Sequence, residues 1–169
     1  MSPKSAGGLL YYDSPLLAGL PGLVYRVTTR IGGDSAGPRR YLNLSHRLPS
    51  DPEAVAANRE RVARALGLAP GRMVFADQVH GAEVRPVGDA EAGSGWAHPD
   101  PGIHGTDALV TDRPDLWLVG LSADCVMVAL ADPVRRTVGL AHSGRRGTVA
   151  DIAGLTARAM ARTYGSRAA

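Results

Sequence analysis

His80, Cys125 and His142 are the residues of this chain best suited to carry chemistry together. His80 stands at a strand-to-turn junction, just before Gly81. Cys125 follows Asp124 and opens an apolar stretch, Val126 to Ala131. His142 ends the next apolar stretch, Thr137 to Ala141, and is followed by Ser143 and Gly144. The two stretches are split by an Asp132-Pro133 turn, and a hairpin of that length brings its open ends together. The side chains of Cys125 and His142 can therefore be neighbours. Imidazole nitrogen and thiolate sulfur are zinc ligands, and three of them with a vacant fourth position describe a catalytic site rather than a closed structural one. Each residue also has a plainer reading. An apolar-flanked cysteine is usually a small buried hydrophobe, and a histidine at a strand end is usually only hydrogen-bonded. Spacing leaves both readings open.

The elements that must position these residues follow from periodicity and turn signals. Residues 22–31 alternate apolar and polar positions and predict a strand, with a loop at Gly32-Gly33-Asp34-Ser35 and Gly37-Pro38. Residues 51–67 predict the best helix. Ser50 with Glu53 makes a capping box, Pro52 suits the first turn, and Gly67 ends it. Val55, Val62 and Leu66 share one face, with Arg59, Glu60 and Arg64 turned to water. Residues 72–77 and 82–87 predict strands bracketing Gln78-Val79-His80-Gly81. Residues 88–105, polar and rich in Gly and Pro, predict a long mobile loop. Residues 107–112, 116–121, 126–131 and 137–141 are short, nearly continuous apolar strands, the mark of a sheet covered on both faces. Residues 148–164 predict a second helix.

With 169 residues, 44% of them apolar and 21% charged, the chain fits one globular domain. No stretch approaches the roughly 20 apolar residues of a membrane span, and the N-terminus lacks a signal-peptide pattern. One cysteine cannot form an internal disulfide, which favours a reducing, cytoplasmic setting. The formal charge of +3 comes from arginines scattered along the chain, with Lys4 the only lysine. That pattern argues against a nucleic-acid surface, which needs them clustered among aromatics. His46, His98 and His104 fall in loops and read as solvated. Five histidines without a His-x-His pair argue against a multicopper cluster. Met127 reads as core rather than as an axial copper ligand.

Several segments together resemble the bacterial laccase-domain family, long labelled polyphenol oxidases and regarded as zinc-dependent purine nucleoside phosphorylases. They are Thr28-Thr29-Arg30 with Gly32-Gly33, Asn43-Leu44-Ser45, Asp51 to Val55 through Asn58-Arg59, Asp77-Gln78-Val79-His80-Gly81, Asp107 to Asp112, Ala123-Asp124-Cys125, and Ala141-His142-Ser143-Gly144 with Arg146-Gly147. They run in family order over about residues 22–152. The resemblance implies an α/β fold with a mixed central sheet flanked by helices, and a zinc site (zinc favoured over copper) held by His80, Cys125 and His142. It implies purine nucleoside and phosphate as substrates, with adenosine deamination by water as a companion reaction. For phosphate, Arg146 and Arg30 are the best grips, because guanidinium binds it bidentately. Asp124 could orient a ligand or shuttle protons. Asn43 and Gln78 could bond substrate or equally tie down loops.

Three departures qualify the resemblance. Arg145 stands where the family usually has Trp, and Tyr25 where it has His. Family members also continue past the second helix, so the chain is expected to be a fragment, a natural short form or a degenerate one. Family members are commonly monomeric, whereas an exposed sheet edge here would allow a homodimer. Two other readings stand beside the enzyme: a metal-free hydrolase with Cys125 as nucleophile and His142 as base, and a catalytically weak module for interaction. Neither membrane nor nucleic acid is an expected partner.

Overall fold

In a computed structural model that describes residues 1–37, 40–47 and 51–167, the chain opens with a hairpin. Strands β1 (Ser2–Ala6) and β2 (Leu9–Asp13) pair antiparallel, with Ala6 opposite Leu9. The two residues between them, Gly7 and Gly8, have φ of 54° and 79°. A two-residue turn of this hand needs positive φ at both positions, which glycine adopts without a steric penalty. A short helix, α1 (Pro15–Ala18), follows. The strand expected over 22–31 shrinks to β3 (Val27–Thr28), paired with Tyr12 and Tyr11 of β2, while beyond it Thr29 donates its amide to Leu10 and Arg30 accepts the Leu42 amide.

These elements and the long helix α2 (Pro52–Leu66) make up the first of two compact units, Met1–Pro70. Asp51 caps α2 by accepting a hydrogen bond from the Glu53 amide, and Gly67 ends it in the left-handed conformation. Ser50, like Pro38 of the expected loop, lies outside the described residues. Val55 and Val62 are buried as expected, and Leu66 packs on the cluster of Leu9, Leu42 and Val62. Arg59 does not face water. It is 5% exposed, and its Nε donates to the Leu44 carbonyl at 2.8 Å. Beside it, fully buried Asn58 accepts from the Asp34 amide and donates to Ser35 and to the carbonyls of Tyr41 and Asn43. Hydrophobic spacing missed these two because they are buried to hold a loop's backbone, and buried polar groups persist only when bonded in this way.

The second unit, Gly71–Ala169, carries six strands among its described residues: β4 (Met73–Phe75), β5 (Val84–Pro86), β6 (Ala108–Thr111), β7 (Trp117–Val119), β8 (Val126–Asp132) and β9 (Thr137–Ser143). A four-stranded sheet runs β5-β6-β9-β8, with β5 and β6 parallel and the other neighbours antiparallel. β4 and β7 pair separately, in parallel. The fold is thus mixed α/β, as expected. Every residue of β6 is buried. The single helix expected over 148–164 is two, α3 (Arg145–Val149) and α4 (Ile152–Tyr164). The break falls at Asp151, whose φ is 57° and whose carboxylate caps α4 through the Gly154 amide. α4 packs through Ile152, Ala159 and Met160 against Ala108, Val110 and Ala141 of the sheet.

Residues 88–105 are not an open loop. The Gly93 amide donates to Met73, Phe75 to Ser94, Ile103 to Phe75 and Asp77 to Ile103, so the segment flanks β4 as a strand would. Gly95 and Gly102 permit this approach, since a Cβ on either would collide with Phe75. Among the described residues, no helix is long and apolar enough to cross a membrane.

Candidate metal centre

The chain leaves β4 into the turn Gln78-Val79-His80-Gly81, where His80 takes a φ of 60°. One carboxylate holds this turn. Asp107, 1% exposed at the start of β6, accepts the amides of Val79 at 3.2 Å, His80 at 3.0 Å and Gly81 at 2.7 Å. The same residue reaches β9: its backbone carbonyl accepts the His142 amide, and its Oδ1 lies 2.8 Å from His142 Nδ1. Asp107 therefore touches two of the three expected ligands at once.

The third expected ligand, Cys125, stands at the β8–β9 hairpin. Val126 pairs with Ser143, which puts Cys125 at the open end, next to the position of Gly144. The ligand atoms of His80, Cys125 and His142 all lie within 4.8 Å of one another. The two imidazoles meet edge to face, with centroids 4.8 Å apart. A Cβ built on Gly144 would stand 3.1 Å from His80 Cδ2 and 3.2 Å from Cys125 Sγ, so glycine is what keeps this space clear. The burial is graded: His142 is 4% exposed, Cys125 is half-buried and His80 faces solvent. Two imidazoles and a thiol converging on one space, with one imidazole already turned by a carboxylate, fit a divalent metal with a position left open.

Further bonds join the parts. Gln78 Nε2 donates to the Leu121 carbonyl and its Oε1 accepts the Leu121 amide, both at 2.7 Å, which ties the His80 turn to the segment leading into Cys125. Of the two roles expected for Gln78, the structure displays the loop-tying one. Burial, and then the charge and hydrogen bond of Asp124, push the Cys125 thiol above its ordinary value. A metal-free nucleophile would need the opposite shift. Met127, opposite His142 in register, packs its thioether against Gly120, as a core residue does.

The remaining expected residues sit as follows. Asp124 is exposed beside Cys125, and Arg146 is exposed on α3, two residues past Gly144. Arg30 and Asn43 belong to the first unit. There the Arg30 guanidinium stacks 5.5 Å over the Tyr41 ring, and Asn43 Oδ1 accepts the Ser45 amide. Tyr25 is half-buried, which raises its phenol. His98 is exposed, and His104 is 91% exposed with Nδ1 bonded to Asp77 at 3.1 Å. His46 departs from expectation, since both its ring nitrogens are buried. Asp107, which joins two of the expected ligands, is not among the site residues expected from the sequence. Its one local signal is a charged residue opening a strand of four apolar or small residues.

Residues 24–169 match the family model described as multi-copper polyphenol oxidoreductase laccase. The chain is 47% identical over 136 residues to the purine nucleoside phosphorylase ORF3 of Streptomyces griseus, covering 80% of this chain and 53% of that protein. The crystal structure of YlmD from Geobacillus stearothermophilus superposes with a TM-score of 0.85 at 35% identity, over 95% of this chain and 58% of YlmD. That of YfiH from Bacillus licheniformis gives 0.80 at 40% identity, over 82% of this chain and 52% of YfiH. The chain spans about half the length of the curated relatives it matches.

Proposed function

Because the chain belongs to the multi-copper polyphenol oxidoreductase laccase family and its relatives are named purine nucleoside phosphorylases, we propose that it serves zinc-dependent cleavage of purine nucleosides by phosphate. The observation that carries this reading is the convergence of His80, Cys125 and His142 within 4.8 Å. Zinc suits a donor set of two imidazoles and a thiol. Bound there, zinc supplies Lewis acidity beside the reacting atoms.

The chain's own residues do the rest. In phosphorolysis a phosphate oxygen forms a bond to the anomeric carbon as the bond from that carbon to the base nitrogen breaks, and the base leaves with a proton. Arg146, exposed close to the ligand set in sequence, grips phosphate as a planar fork. Asp124, exposed beside Cys125, carries the proton. Gln78 acts by holding the His80 turn in place. Arg30 and Asn43 rest on the resemblance alone as contacts for phosphate and nucleoside. Deamination of adenosine, in which water replaces the amino group, would use the same metal. The raised Cys125 thiol weighs against the metal-free hydrolase, and the lone cysteine fits a reducing cytoplasm.

Inosine and phosphate, supplied to zinc-loaded protein, should yield hypoxanthine and ribose 1-phosphate. Arg146→Lys should raise the KM for phosphate more than that for inosine, because lysine lacks the fork. Zinc-loaded protein that turns over neither inosine nor adenosine overturns the proposal.

A further inference from the structure

We infer that Asp107 is the positioning residue of the metal centre, and that it sets both histidines before any metal arrives. The argument begins with what its oxygens accept. Oδ2 takes the amides of Val79 and Gly81, and Oδ1 takes the amide of His80. Three N–H donors on one side chain suit an ionised carboxylate, which accepts and does not donate, and a carboxyl is intrinsically more acidic than an imidazolium. On this reading the remaining contact, His142 Nδ1 at 2.8 Å from Oδ1, is a donation from the ring. A neutral imidazole that carries its proton on Nδ1 has its lone pair on Nε2, the nitrogen left for a metal. One carboxylate thus fixes the tautomer of His142 and, through three consecutive amides, the backbone that carries His80.

Geometry makes the assignment specific. Asp107 lies 27 residues from His80 and 35 from His142, yet it is 1% exposed and joined to the backbone of both. His80 depends on it more than an ordinary turn residue would, because its φ of 60° lies in a region that L side chains rarely adopt. A second aspartate–histidine pair supplies the contrast. Asp77, 6% exposed, bonds His104 Nδ1 at 3.1 Å, but His104 is 91% exposed and is not part of the ligand cluster. Burial of an aspartate beside a histidine is therefore common to both pairs, whereas connection to two ligands belongs to Asp107. The inference rests on the metal centre and not on phosphorolysis, so it stands or falls apart from the activity.

The test reads the tautomer and the affinity of the full chain for zinc ions alone. In metal-free wild-type protein, nitrogen-15 spectra of the neutral His142 ring should show Nδ1 protonated. Protonation at Nε2 would overturn the inference, and this measurement needs no variant to fold. Competition with a chelator should then show zinc binding weakened about 10- to 100-fold by Asp107→Asn, the usual effect of losing such a partner. The amide group of asparagine sets N–H against N–H at Val79 and Gly81, or against the ring. Asp107→Glu keeps the charge but moves the oxygens by one carbon, and should weaken zinc as well. Full affinity in the glutamate variant would assign the effect to charge alone and refute positioning. Asp77→Asn should leave affinity unchanged, and an equal loss there would also refute it.

Discussion

The two ends of the β8–β9 hairpin use the same device for different ends. At the turn, Asp132 accepts the amides of Val134, Arg135 and Arg167. At the open end, Asp107 accepts the amides of Val79, His80 and Gly81. Each carboxylate thus gathers three backbone donors from segments that would otherwise splay. The difference is burial and the kind of further contact. Asp132 is partly exposed, and its further contact, the Ser166 hydroxyl, only adds to closing the turn and fastening residues 166 and 167. Asp107 is buried and adds His142, so the same closure also aims a ligand. Capping alone builds stability. Capping joined to an imidazole builds a site.

The sharpest way to break this contrast is at the open end. Cys125→Ala removes one of the three proposed ligands, and the zinc expected at about one per chain should fall to a trace, because two imidazoles alone hold the ion poorly. Elemental analysis of protein purified without chelator measures this, and stoichiometric zinc in the variant would remove Cys125 from the ligand set. The fold should survive, since the hairpin pairing begins at Val126.

Gly144→Ala should have a middling effect. The added methyl meets His80 at 3.1 Å and Cys125 at 3.2 Å, tight enough that these two side chains must give, and touches His142 at an ordinary 3.6 Å. Overpacking of this kind costs about 1–3 kcal/mol. It should appear as weaker zinc binding with a smaller drop in thermal midpoint, and unchanged zinc affinity would show that the ligand set has slack.

The smallest effect belongs to the turn. The Arg135 amide foremost, then those of Arg167 and Val134, hold the Asp132 carboxyl below its ordinary value against the opposing pull of burial. A carboxyl depressed on folding contributes stability above its unfolded value, near 4, and loses it as pH falls through the lower folded value. Asp132→Asn should therefore lie below wild type in thermal midpoint at pH 6, and the gap should narrow toward pH 3. Zinc affinity at neutral pH should not change. A gap that widens on acidification would reverse the assignment.

How much of this was legible in the sequence depended on whether a residue acts locally. The hairpin joining Cys125 to His142 followed from two apolar runs and a turn, and helix 51–67 followed from its spacing and Gly67. The residues that escaped act across long separations or against their type. Asp107 serves residues 26 to 35 positions away. Arg59 and Asn58 look solvated by composition but are buried to bind the backbone of Asp34, Tyr41, Asn43 and Leu44. The opening hairpin has its local signal in Gly7-Gly8, the pair that supplies positive φ at both turn positions. The helix break at Asp151 left no mark in the periodicity, since the apolar spacing runs through it.

The left-handed backbone at His80 restricts what evolution or design can do with the centre. Only a few side chains besides glycine enter that conformation readily, chiefly asparagine, aspartate and histidine. Of these, aspartate and asparagine offer an oxygen donor, and aspartate alone brings a negative charge. His80→Asp would thus keep both the turn and an anionic donor while replacing nitrogen with oxygen, and it would move the centre toward harder metals. Positions 125 and 142, at the ends of extended strands, carry no such filter. The ligand alphabet of this centre is set by the backbone at one corner and by packing at the other two.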